Sequence, residues 1–320
     1  MSHRITEKDS LVVVGEPAWH GIGKLVGDLL TASEALLASG LTWKVIEVPV
    51  FNKEGIQIEG FKGIKREDTE EVFNIVGARY QPVQNIDCFE IFDGVCGTGS
   101  AKYEVAGSLQ NGRKVWILAR LPYDFDVVKG DEVRSYLLLT TSHDGSLAFQ
   151  MYKTPIRVVC WNTLSASLAG AREDRSKIAY FKHTVNFKNR VGQAQEILAE
   201  AKAYFDNFKA QSQELAKKQI TELELEDFLA RLFKTENLKS EEISTRTKNA
   251  QEDIKRLFVD GKGNQLGGVA GSRWALYNAV TEYIDHERTT RGEAENRLAS
   301  SWYGSGADLR ERAFELVSAR

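Results

Sequence analysis

Residues 136–164 constrain the fold of this chain more than any other stretch. Two apolar runs, Leu137-Leu138-Leu139-Thr140-Thr141 and Leu147-Ala148-Phe149-Gln150-Met151-Tyr152, flank Ser142-His143-Asp144-Gly145-Ser146. An Asp-Gly pair in that setting predicts a β-hairpin, because both central residues of a type I′ turn need positive φ. The first run is apolar along its whole length, as expected of a strand buried on both faces. The hairpin therefore belongs at the centre of a core sheet, with strands over 135–142 and 146–152.

The same grammar repeats upstream. Residues 43–48 and 56–61 read as a hairpin across Asn52-Lys53-Glu54-Gly55, and 72–76 as a further strand. Residues 101–109 and 114–121 pair across Asn111-Gly112, a second type I′ signal. Short helices are predicted over 31–39, with Thr31 as N-cap, and over 85–95. Beyond about residue 187 the apolar period lengthens to three and four residues. It predicts helices reaching residue 208, over 247–259, 293–303 and 307–318, one opened by the capping box Thr221–Glu224, and one capped by Ser272. The predicted fold class is α+β, a largely antiparallel sheet with short helices followed by an all-helical half. The division falls into residues 1–185 and 186–320.

Charge is distributed unevenly. The whole chain carries a formal charge of −3, yet residues 151–190 hold eight cations against Glu173 and Asp174, a balance of +6. Those cations are Lys153, Arg157, Arg172, Arg175, Lys177, Lys182, Lys188 and Arg190, interleaved with Trp161, Tyr180, Phe181 and Phe187. Cations that track phosphates and aromatic faces that stack bases are what single-stranded nucleic acid requires. Trp161 and Tyr180 are the expected stacking residues. Two blander readings stay open: a solvated loop paired with nearby acids, and aromatics that belong to the core where sheet meets helices.

Other chemistries find less support. Ser142-His143-Asp144 has the letters of a hydrolase triad, but neighbours along a strand or tight turn do not converge. Glycines 21, 23 and 27 miss the dinucleotide spacing, and Gly261-Lys262-Gly263-Asn264 lacks that of a phosphate loop. His20, His143, His183 and His286 show no metal-ligand spacing. Cys88, Cys96 and Cys160 read as buried free thiols. No apolar run is long enough for a membrane span and the N-terminus has no signal-peptide pattern, so the expected location is the cytoplasm.

Five segments together carry a resemblance: Pro17-Ala18-Trp19-His20-Gly21-Ile22-Gly23, Gly77-Ala78-Arg79-Tyr80-Gln81-Pro82-Val83-Gln84-Asn85, Ser142-His143-Asp144-Gly145-Ser146, Pro155-Ile156-Arg157-Val158-Val159-Cys160-Trp161-Asn162-Thr163-Leu164 and Asn278-Ala279-Val280-Thr281-Glu282-Tyr283-Ile284-Asp285-His286. They resemble the phage/plasmid-like family called domain of unknown function 932, over nearly the whole chain. That resemblance implies a mobile-element origin, while the family name states no activity. A remoter likeness, to phage single-strand annealing proteins of the Red-beta, Erf and Sak kind, implies an oligomeric ring holding DNA in a basic groove. The expected function is therefore single-stranded DNA binding and strand annealing in recombination. The protein is expected to be a non-catalytic homo-oligomer that needs no cofactor or metal and works beside a host or phage recombination partner. The alternative is a host-interaction or anti-defence protein whose basic zone meets an acidic protein partner. A third reading, a hydrolase using His20 or His143, lacks a nameable convergent partner.

Overall fold

Alternating apolar strands joined by tight turns build two sheets in this computed structural model. It describes residues 11–14, 24–26, 32–96, 102–159, 162–163, 179–181, 195–196, 198–289, 300–301 and 304–319. The strands of the larger sheet are β1 (Leu11–Val14), β2 (Lys24–Val26), β6 (Lys102–Leu109), β7 (Lys114–Arg120), β8 (Phe125–Asp126), β9 (Glu132–Ser142), β10 (Phe149–Arg157), β11 (Asn162–Thr163) and β12 (Ala179–Phe181). Their order is β11-β10-β9-β7-β6-β1-β2, with β12 also on β10 and β8 also on β9. Every pairing is antiparallel except the short one between β1 and β2. A smaller sheet takes β3 (Val45–Val48), β4 (Phe61–Arg66) and β5 (Val72–Gly77) in that order.

Strand β9 is buried on both faces from Ser135 to Ser142, as its unbroken apolar run requires. The Asn111-Gly112 turn has positive φ at both residues, and Gly112 has no substitute. A Cβ there would lie 2.8 Å from the Trp43 ring, so the glycine lets the smaller sheet press against this turn. The Asp144-Gly145 turn differs from expectation. Only Gly145 has positive φ, and β10 begins at Phe149 rather than at 146. Side chains account for the wider loop: Asp144 Oδ1 accepts from the Ser146 amide at 2.9 Å, and Ser142 Oγ accepts from the Leu147 amide at 2.8 Å. The strand expected over 56–61 is likewise displaced, since β4 starts only at Phe61. Asn52 takes the turn itself, its side chain accepting from Glu54 and Ile56.

Helices α1 (Ala32–Ala38) and α2 (Asn85–Cys96) pack together beside the sheets, with α2 setting Phe89 and Phe92 against Tyr103. The later half supplies α3 (Ala201–Lys217), α4 (Glu222–Phe233), α5 (Thr245–Asp260), α6 (Arg273–Glu282) and α7 (Ser305–Ser318). Their starts follow the sequence. Thr221 and Glu224 form the expected capping box, and Ser272 caps α6 by accepting from the Ala275 amide. A π turn over Tyr283–Glu287 extends α6. There the Arg310 guanidinium of α7 meets Asp285 at 2.5 Å, both buried. The helix expected over 293–303 falls largely outside the described residues, as do the predicted helical positions 191–194. One apolar core runs through both halves, with Phe205 and Phe208 of α3 against Tyr123 and Phe125 beside the sheet. No helix among the described residues is long and apolar enough to cross a membrane.

Candidate functional site

Two of the predicted phosphate-binding cations are not at the surface. Arg157, the last residue of β10, is completely buried, and so is its partner Asp131. Its Nε and Nη2 grip the two carboxylate oxygens of Asp131 at 2.6 and 3.0 Å. Nη1 donates to the Lys262 carbonyl and to Asn264 Oδ1, and Nη2 also to the Gly263 carbonyl. The Trp274 indole donates to Asp131 Oδ2 at 2.8 Å, bringing α6 into the same cluster. Gly263 holds φ +74, and a Cβ there would sit 2.5 Å from Val159, so only glycine lets the loop carbonyls reach the guanidinium. The phosphate role expected of Arg157 is corrected: a guanidinium saturated by protein acceptors is a fastener between sheet and helices.

Lys153 is corrected in the same way. It lies two residues before Pro155 on the same face of β10 as Arg157, and that face is covered by α3. Its ammonium is buried, 3.6 Å from the Glu200 carboxylate and 5.5 Å above the Tyr204 ring. The other expected contacts, Arg172, Arg175, Lys177, Lys182, Lys188, Arg190 and Trp161, lie outside the described residues. Tyr180 is placed by its backbone alone, in β12 opposite Gln150 of β10. The edge of the larger sheet thus holds the two flanks of residues 164–178. Strand β11 precedes residues 164–178 and β12 follows them, and both pair with β10.

A second feature lies where the two sheets meet. His143 is wholly buried, its ring 5.2 Å from that of Trp43 and stacked on Phe73, with Nε2 2.8 Å from Asn85 Oδ1. Asn85 in turn donates to the Leu41 and Trp43 carbonyls. The Ser142 hydroxyl and the Asp144 carboxylate are both bonded within their own loop, so the three residues do not form a relay. Next to them opens a cleft of about 610 Å³ lined by Phe61, Asn74, Arg79, Tyr80, Asp144 and the glycines 60, 77 and 145.

The polar groups of this cleft are held firmly. Asn74 donates to the Asp144 carbonyl at 2.7 Å, and the Tyr80 hydroxyl donates to the Ser142 carbonyl at 3.1 Å. Burial, then the Asp144 charge, raise the Tyr80 pKa well above the usual phenol range. Burial also pushes the Asp144 carboxyl upward, but hydrogen bonds from Ser146 and Ser142 and the Lys114 charge outweigh it and hold the group below its ordinary value. Arg79 is exposed on the rim. Cys88, one of the three expected free thiols, is buried in α2, and burial pushes its pKa up.

Sequence reasoning missed Asp131 and Asn264, the acceptors that decide the fate of Arg157. Nothing local marks them, since Asp131 reads as an ordinary turn residue after Lys129-Gly130. It also passed over Arg79, although the Gly77–Asn85 segment was in view. A family model described as Domain of unknown function (DUF932) matches residues 72–302. No curated protein and no solved structure matches the chain.

Proposed function

Because the chain belongs to the family described as Domain of unknown function (DUF932), a description that assigns no activity, we propose from the molecule's own features that it binds and anneals single-stranded DNA as a homo-oligomer. One observation carries the reading. The segment 164–178, with Arg172, Arg175 and Lys177, is flanked by two strands, β11 and β12, that both pair with β10. Lys182, Lys188 and Arg190 follow directly. Once the buried Lys153 and Arg157 are set aside, six cations remain against Glu173 and Asp174, a balance of +4 on a chain whose net charge is −3. A polyanion is drawn to such a zone and repelled by the acidic remainder.

The test is binding of a labelled single-stranded oligonucleotide with a salt titration, followed by annealing of complementary strands without nucleotide. Affinity should fall with salt at a slope of about −0.7 per phosphate contact. Joint reversal of Arg172→Glu, Arg175→Glu and Lys177→Glu should abolish binding and annealing while leaving the melting temperature unchanged. Wild-type protein that ignores the oligonucleotide at low salt, or a triple variant that binds and anneals like wild type, would sink this reading. The host-interaction reading, in which the cations meet an acidic protein, would then take its place.

A further inference from the structure

The smaller sheet has one face turned to the core and one left bare. Ile64, Val45 and Phe73 are buried, and Trp43 and His143 close over Phe73 on the inner side. Register and strand alternation put Val48, Phe61, Gly63, Val72 and Ile75 on the outer side. Phe61, Val72 and Ile75 are each half or more exposed, at 53%, 50% and 52%. Phe51, Ile56 and Ile58 on the adjoining hairpin arm are exposed as well. The Phe51–Gln57 bridge puts Phe51 on the face opposite Ile56 and Ile58. The other five side chains present on the order of 450 Å² of apolar surface, within the range of the largest patch a monomer exposes. The charged member of the outer face, Lys65, is ion-paired with Glu70. The exposed cation nearest to Phe61 and Gly77 is Arg79, at the rim of the neighbouring cleft, so the face is apolar at its centre and charged at its border.

The shape of this face points to its occupant. Phe61 and Gly77 are cross-strand partners, so a projecting ring stands directly beside a position with no side chain. The ideal Cβ of Gly77 would meet nothing within 4 Å. A knob beside a hole is self-complementary under a two-fold axis that lies in the interface and passes between them, because each copy then offers its ring to the other's gap. The exposed apolar area is roughly half of the about 800 Å² per partner of a standard interface, which leaves the remainder to a polar rim. We propose that a second copy of this chain docks here, outer face to outer face, with Phe61 of one copy over Gly77 of the other. This inference does not rest on the DNA reading, and it gives the homo-oligomer a surface.

Mass in solution, measured by light scattering without nucleic acid, tests it independently of any DNA result. Wild type should show twice the chain mass. Phe61→Asp and Gly77→Asp should each halve it while the circular dichroism spectrum and melting temperature hold. The Gly77 change is clean because its φ lies outside the left-handed region and the space is open. The double variant Phe61→Asp with Gly77→Arg should regain the doubled mass, since each new charge then faces its opposite across the axis. Three results would overturn the proposal: a wild type at single-chain mass, single variants that keep the wild-type mass, or a double variant as dissociated as the singles.

Discussion

The larger and smaller sheets follow the same hairpin rules but are finished differently. In the larger, β9 and its neighbours are covered on both faces, and even the charged side chains Lys153 and Arg157 are enclosed and matched by acceptors from the chain itself. In the smaller, one face meets Trp43 and His143 while the other shows Phe61, Val72 and Ile75 to solvent. The contrast extends to arginine. Arg157 is saturated by Asp131, Asn264 and two loop carbonyls, whereas Arg79 stands exposed at the rim of the cleft. A region whose apolar faces are covered and whose buried charges are matched internally is a scaffold. A region left bare on one side is where a partner is expected.

The largest effect should come from breaking the scaffold. Arg157→Ala leaves the Asp131 carboxylate buried with only the Trp274 indole and should cost about 3–5 kcal/mol in urea unfolding. A variant as stable as wild type would show that the cluster does not fasten sheet to helices. Lys153→Met should be far milder, below about 1.5 kcal/mol, because it keeps the packed stem and leaves behind a Glu200 carboxylate that is mostly in water. If both variants proved equally damaging, the distinction between a saturated clamp and a simple buried stem would fail.

Two carboxyl groups should give the two regions opposite responses to pH. Glu104 of the larger sheet accepts from the Tyr136 hydroxyl at 2.8 Å, and burial raises its pKa above the ordinary 4.5. Unfolding lets it ionise at the ordinary value, so stability falls as pH rises from there toward the folded pKa. Glu104→Gln keeps an acceptor for Tyr136 and should flatten that fall. Asp144, beside the smaller sheet, is held below its ordinary 3.8. Its contribution is complete above that value and is lost as pH falls through the folded pKa. Asp144→Asn preserves the turn and should remove only this acid-side loss. Urea midpoints across about pH 3 to 8 read both slopes, and slopes of the same sign would contradict the assignment. The smallest effect is expected at the cleft rim, where Arg79→Ala should leave the unfolding midpoint unchanged, since the side chain is exposed and makes no hydrogen bond or ion pair among the described residues.

The sequence by itself determined what local rules govern. The capping box at Thr221, the Ser272 cap and the paired positive φ values at Asn111-Gly112 depend on residues at most three positions apart. The unbroken apolar run of β9 likewise announced burial on both faces, and the change of period announced the helical half. The Asp144-Gly145 turn marks the limit of such rules, because the Ser142 and Asp144 side chains drew the backbone into a wider loop than the dipeptide predicts. Only the tertiary structure decided which cations are surface groups. Arg157 looks like a phosphate contact in sequence, but its fate is set by Asp131, 26 positions away, and Asn264, 107 positions away. A charge is buried only where distant acceptors replace its lost hydration, and no local pattern records where those acceptors will arrive.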